Sequence, residues 1–446
     1  MNSIKVIILC GGIGKRMSPL TTDKALFKFL GKPLIWHQIN SAIESNINDF
    51  IVITNPANDA DVRSSLETVL HSQIKFVQQK KPLGMADAIL SAASLIDGNP
   101  FILVSSNDVF DSSAYSSLLD EYNKSKGLAT CITARHVQHY FPGGYLAVDS
   151  KNRIKGIVEK PPPGKEPSNL INIVLHMHTK PEKLFEYLSG TTSSSDDIYE
   201  KSLDRMISDG FHIKAVPYDG AWQAIKYPWH ILNVMDHFSK QSKGHISSNS
   251  SISEKAVIDQ NVIIEDNVRV FEGAVIRGGS YIGRNTVIGT GALVRDSIIS
   301  DDCVVGYGTE VKHSYIGNGC WFHSNYIGDS ILESDCSFGA GAITANFRLD
   351  EATIKIKEDS KIIDTETDKL GAIIASGCRI GINASLMPGI RIGAHTFVGS
   401  HVCLAENIEA NKKVIAESRY RILSNDAVKI SNKKSELMKK LDKSNH

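Results

Sequence analysis

Three glycines and three cations stand close together near the start of the chain: Leu9-Cys10-Gly11-Gly12-Ile13-Gly14-Lys15-Arg16-Met17, followed a turn later by Lys24. Glycine lets a tight loop bring bare backbone N–H groups against an anion, and Lys15, Arg16 and Lys24 add positive charge. The chemistry that suits this set is phosphate binding. It is not a Walker loop, which needs Gly-Lys-Ser/Thr, nor a dinucleotide loop, because Gly11-Gly12-x-Gly14 lacks the final Gly two residues on. A loop that merely turns is the plainer alternative for this stretch taken alone.

Other chemistry-bearing residues follow apolar runs. Gln79 opens Gln79-Lys80-Lys81-Pro82-Leu83-Gly84-Met85-Ala86, and its amide offers the donor and acceptor that a pyrimidine edge requires. Asp108 ends Leu103-Val104-Ser105-Ser106-Asn107-Asp108. An oxygen ligand there suits Mg²⁺ shared with phosphates, although a turn or helix cap is the ordinary role. In Val158-Glu159-Lys160-Pro161 the carboxylate can accept from vicinal hydroxyls and the ammonium can pair with phosphate.

The elements that must hold these residues alternate. Strands are expected at 51–54, 74–78, 101–104 and 129–134, and helices at 34–45, 61–70, 86–95 and 115–124. Alternation of this kind predicts an α/β doubly wound sheet, mostly parallel, with ligands at the carboxyl ends of its strands. That domain spans 1–240, and the polar stretch 241–250 reads as a linker.

Beyond it the period changes. Ile252, Ile258, Ile264, Val270, Ile276, Ile282, Ile288 and Val294 recur every six residues, and the pattern resumes to Leu404 after an interruption. A six-residue repeat of inward aliphatics predicts a parallel β-helix over 251–425, each turn burying its face on the next. A polar tail, 426–446, closes the chain.

Composition narrows the partners. Lys+Arg and Asp+Glu balance at 49 each, so no global field argues for nucleic acid and phosphate binding must be local. The apolar runs are too short for a bilayer, and no secretory signal precedes them. Seven dispersed cysteines without a Cys-x-x-Cys pair fit reduced thiols in a cytoplasmic protein.

With these motifs quoted, the chain resembles the archaeal bifunctional sugar-1-phosphate nucleotidylyltransferases/amino-sugar acetyltransferases over nearly its whole length. The resemblance implies that Leu9, Gly11, Gly12, Gly14, Lys15, Gln79 and Gly84 bind an NTP, with Arg16 and Lys24 neutralising its phosphates. It implies that Gly144, Glu159, Lys160 and Asn172 hold a sugar-1-phosphate, and that Asp108 ligates Mg²⁺. In the second half it implies a left-handed coil, a homotrimer and acetyl-CoA as co-substrate. His323 would be the general base, with Tyr326, Asn346 and Lys355 binding substrate.

Several positions depart from the family pattern. Met85 replaces Thr, Asn107 replaces Gly, Val174 replaces Gly, and Ala352 replaces a lysine. The sharpest departure is in Trp222-Gln223-Ala224-Ile225-Lys226-Tyr227-Pro228, where the family has Trp-x-Asp-Ile-Gly-x-Pro. Its Asp is the second metal ligand, and Ala224 cannot bind a cation. The expectation is therefore a bifunctional enzyme, with UTP or dTTP as donor and a gluco or galacto acceptor. The alternative is a degenerate first domain that binds nucleotide as a regulatory or scaffolding module.

Overall fold

The computed structural model describes residues 4–67, 74–358, 361–417, 419, 421–424 and 433–442. In the first domain Phe101–Ser105, Lys5–Leu9, Asp49–Thr54 and Ile74–Gln78 lie side by side in that order, all parallel. Leu170–His178 joins antiparallel beside Phe101–Ser105 and leads to Gly144–Val148 and Ile154–Glu159. Thr130–His136 and Ile213–Pro217 complete this mixed sheet.

Strand residues alternate between two cores. Val6, Ile8, Phe50 and Val52 face Ile35, Ile39, Val62, Tyr115 and Leu118 on one side. Ile7, Ile51 and Ile53 face Ile89, Leu184 and Leu203 on the other. Strands buried on both faces read as continuous apolar runs, as these do, and helices on both faces make the sheet doubly wound.

The helix His230–Gln241 ends this domain, and His245–Ile246 already pairs in parallel with Ile263–Ile264 of the coil. Only 242–244 separate the two, where the sequence suggests a linker over 241–250. Three parallel sheets of two- and three-residue strands then stack turn on turn, the arrangement expected of a left-handed β-helix. Ile264, Val270, Ile276, Ile282, Ile288 and Val294 form its dry interior, while Ile252 and Ile258, in the first turn, are partly covered. Turns pack so closely that a Cβ on Gly283 would lie 2.5 Å from the Ser300 carbonyl carbon.

After Ile343–Thr344 the coil is interrupted by a hairpin, Lys355–Glu358 with Lys361–Asp364, and resumes at Ile373–Ile374. The last coil strand is Lys413–Val414, and an exposed helix covers Lys433–Asp442. Among the described residues no helix is long and apolar enough to cross a membrane.

The two domains share a core. On one of the three coil sheets the outward residues Tyr281, Ile298, Tyr315, Ile331 and Ile373 are themselves buried, packed with Phe27, Phe29, Trp229 and Phe238 of the first domain. Phe27 meets Tyr315 edge-on at 5.6 Å between ring centres. Burial of this size contributes roughly 2 kcal/mol per large side chain.

Candidate active site

The first parallel strand delivers the glycine loop, and neighbouring side chains hold it in place. Asn58 Nδ2 donates to Cys10 O (2.7 Å) and to Asp23 Oδ2 (2.8 Å), and Asn55 Nδ2 donates to Gly11 O (3.1 Å). Asp23 caps the short turn Lys24–Leu26 by accepting from Ala25 N (2.9 Å), which sets the direction of Lys24. Sequence reasoning missed Asn55 and Asn58. Their position just after a central parallel strand was the available signal.

Every nucleotide- and sugar-side residue expected from the sequence, from Leu9 to Asn172, lines one cleft of about 540 Å³ at the carboxyl ends of the strands. Gln79 is buried, not a surface residue, and its Nε2 donates to Asp87 Oδ2 (2.7 Å) and Gly84 O (3.3 Å). Its Oε1 lies 2.3 Å from where a Cβ on Gly11 would stand. The amide therefore occupies the space that a side chain on the loop would need. Lys24 carries a pKa lowered to about 8, by burial first and then by Arg16 and Lys226 nearby. The loop is a concentrated cationic patch within a chain of zero net charge.

At the other end of the cleft the bare Cα of Gly144 lets Asn172 and Glu159 converge. A Cβ there would be 2.7 Å from Asn172 Nδ2 and 3.0 Å from Glu159 Oε2. Lys160 pairs with Glu159 Oε1 at 2.6 Å and sits at a φ of 45°, a left-handed conformation that costs a non-glycine residue about 1 kcal/mol. Asp196 and Glu200 also line this end, and neither was singled out from the sequence. Burial, then the Glu159 charge, raises the Glu200 pKa to about 7.

The residues around Asp108 lack a second carboxylate for a Mg²⁺ held by the protein alone. Asp108 is buried, and its Oδ1 accepts from Trp222 Nε1 (3.1 Å). Directly across the antiparallel ladder stands Ala224, which offers no ligand. Lys226, at the pattern's Gly position, brings an ammonium into the same cleft. Among the described residues no cluster of three or more His, Cys, Asp or Glu could hold a metal. Asp108 is thus, among the described residues, the one carboxylate facing this part of the cleft, opposite a methyl group and beside the Lys226 ammonium, so any Mg²⁺ there would depend on substrate phosphates and water for its other ligands.

In the coil, Tyr326 and Asn346 come together over Gly328, where a Cβ would be 2.7 Å from Tyr326 Oη and 2.9 Å from Asn346 Nδ2. His323 is exposed on the corner three residues before Tyr326, and its backbone is pinned by Asn325 Oδ1 (2.8 Å) and Thr309 Oγ1 (3.0 Å). Lys355 lies exposed on the insertion hairpin, and no hydrogen bond or ion pair joins it to the other three among the described residues. Asp329, missed from the sequence, accepts from Asn346 Nδ2 and pairs with Lys312 (3.1 Å) and His313 (2.8 Å). His313 also reaches Asp236 of the first domain (3.1 Å). Burial opposes charge on His313, but the hydrogen bonds it donates to Asp236 and Asp329 outweigh it and raise its pKa to about 9.

Comparison with known proteins matches both halves of the chain. The Nucleotidyl transferase family matches residues 5–228, and the GMPPB C-terminal domain matches 241–346. The chain is 30% identical to the bifunctional protein GlmU of Methanocaldococcus jannaschii, covering 91% of this chain and 96% of that one. It is 32% identical to the bifunctional sugar-1-phosphate nucleotidylyltransferase/acetyltransferase of Sulfurisphaera tokodaii, covering 88% and 95%. A UTP–glucose-1-phosphate uridylyltransferase of Bacillus subtilis is 29% identical over 41% of this chain and 73% of its own. With both halves matched in order over nine-tenths of its length, the chain belongs to the family of bifunctional sugar-1-phosphate nucleotidylyltransferase/acetyltransferases.

Proposed function

We propose that the first domain transfers a nucleotidyl group from UTP or dTTP to glucose-1-phosphate or an N-acetylhexosamine-1-phosphate. The observation that carries this reading is the convergence in one cleft of the glycine loop, Lys24, Gln79 and the Glu159–Lys160 pair. Gln79 and Gly84 lie where a base would be read, and Glu159, Asn172 and Lys160 lie where a sugar and its phosphate would be held. A phosphate oxygen of the sugar-1-phosphate attacks the α-phosphorus in line. The bond from that phosphorus to the α,β-bridging oxygen breaks, and pyrophosphate leaves. Catalysis here is positioning plus neutralisation of phosphate charge by Arg16, Lys24 and Lys160.

The coil, on the same proposal, N-acetylates glucosamine-1-phosphate or galactosamine-1-phosphate. The amine attacks the thioester carbonyl carbon of acetyl-CoA and His323 accepts the proton the nitrogen loses; the C–S bond then breaks, and the coenzyme A thiolate takes that proton from His323 and leaves as the thiol. Tyr326 and Asn346, gathered over one glycine, support a substrate contact there. A homotrimer formed through the coil completes the reading, and light scattering should give about three times the 48.8 kDa chain.

One substrate panel tests both halves. Each sugar-1-phosphate is supplied with each NTP and with acetyl-CoA, and pyrophosphate and free thiol are measured separately. Release of neither product from any pairing refutes the proposal.

A further inference from the structure

The strand Trp222–Ala224 pairs antiparallel with Asp108–Phe110 so that Ala224 stands opposite Asp108. Directly opposed residues have Cβ atoms about 5 Å apart, close enough for two carboxylates to share one ion. The chain places a methyl group there instead. It then sends a lysine into the same cleft two residues later.

The position of Lys226 is built. Ile225 is fully buried and donates its backbone N–H to Asn107 O (2.9 Å), and Lys226 N donates to His230 Nδ1 (3.1 Å). Its ammonium lies 5.1 Å from the centre of the Phe141 ring, a cation–π distance. Asp108 and Glu159 face it with opposite charge, and Arg16 and Lys160 with like charge. No ion pair closes Lys226 onto Asp108 among the described residues; Asp108 accepts instead from Trp222 Nε1 (3.1 Å). The ammonium therefore remains directed at the cleft shared by the nucleotide loop and the sugar-phosphate lysine.

We infer that Lys226 replaces a protein-held divalent cation as the charge that meets the reacting phosphates, so that the first domain works without an ion ligated by its own residues. This rests on the proposed nucleotidyl transfer. An ammonium is a compact point charge with three donors, suited to phosphate oxygens. It neutralises charge that would otherwise call for a metal, and its repulsion, added to that of Arg16 and Lys24, disfavours a second cation beside Asp108. Losing the carboxylate and gaining the lysine are thus one compensated change in electrostatics.

The test is arranged so that the inference and the activity fail separately. Purified protein, alone and saturated with dTTP or UTP, is titrated with Mn²⁺, and free ion is read by electron paramagnetic resonance. Wild type should hold no more Mn²⁺ than the nucleotide itself carries, with Asp108→Asn leaving that number unchanged. The double variant Ala224→Asp/Lys226→Gly should hold one further ion per chain at Mn²⁺ concentrations where wild type holds none. Extra Mn²⁺ on wild type that Asp108→Asn abolishes overturns the inference. In pyrophosphate release, Lys226→Met should lose roughly a hundredfold at every Mg²⁺ concentration, with Lys226→Arg recovering part and unfolding temperatures unchanged. Lys226→Met as active as wild type also overturns it. Should wild type release no pyrophosphate at all, the nucleotidyl-transfer reading fails, and the Mn²⁺ titration still decides whether the lysine has displaced the metal.

Discussion

Thr22, two residues before Lys24, donates its backbone N–H to Glu333 Oε1 of the coil at 2.7 Å, across 311 residues of sequence. The same carboxylate takes Thr21 N (2.8 Å) and Thr21 Oγ1 (3.1 Å), and its second oxygen also takes Ser376 N (3.1 Å). A buried coil residue therefore holds the segment that runs from Arg16 to Lys24. The segment that follows the glycine loop of one domain is braced by the other.

Glu333→Ala should expose what that brace contributes. Three backbone donors would lose their acceptor at a buried junction, a cost of about 3 kcal/mol. Denaturant unfolding should begin earlier, and kcat/KM for the NTP should fall while acetyl transfer persists. An unchanged unfolding midpoint would contradict this role.

Lys24 predicts a pH profile. With its pKa near 8 in the free protein, its charge is lost as pH rises through that value. kcat/KM for the NTP, which reports the free enzyme, should drop by up to tenfold per pH unit above about 8. Lys24→Arg should move that inflection out of range; a profile identical in both proteins rejects the assignment.

Gly11→Ala should block the nucleotide end of the cleft, because the added Cβ would stand 2.3 Å from Gln79 Oε1. Calorimetric binding of UTP or dTTP should weaken tenfold or more, with acetyl transfer unaffected. Undiminished affinity would show that the Gln79 amide moves freely and does not read a base.

His323→Ala should divide the two activities the other way. Thiol release from acetyl-CoA should fall about a hundredfold, the usual loss with a general base, and pyrophosphate release should stay within twofold. Near wild-type thiol release from folded His323→Ala protein would remove His323 from the mechanism.

The His313 link predicts the pH dependence of domain docking. Its pKa is raised from the ordinary 6.5 to about 9, so its stabilisation is complete below 6.5 and is lost as pH rises through 9. Thermal unfolding should therefore lose several degrees between pH 6.5 and 9.5 in wild type, and less in His313→Gln. Equal slopes in the two proteins would show that the Asp236–His313–Asp329 link carries no stability.

The parts that repeat or lie close together are legible in the order of residues alone. Six-residue spacing announced the coil, because each turn can bury its face only on a neighbour built to the same period. Gly11 to Lys24 read as a cationic glycine loop, because its residues lie in one loop and the turn that follows it, and the structure gathers them in one cleft. What spacing could not decide is what lies across a ladder or a domain junction. Ala224 reads as a lost ligand in the sequence, but only the tertiary structure sets it against Asp108 and brings Lys226 into the same cleft. Likewise Tyr281, Ile298, Tyr315, Ile331 and Ile373 each precede an inward aliphatic, a double apolar step visible in the sequence. That step meant a covered coil face only once Phe27, Phe29 and Phe238 were seen packed on it. A period reports which way a side chain points; what meets it there depends on contacts between residues hundreds apart.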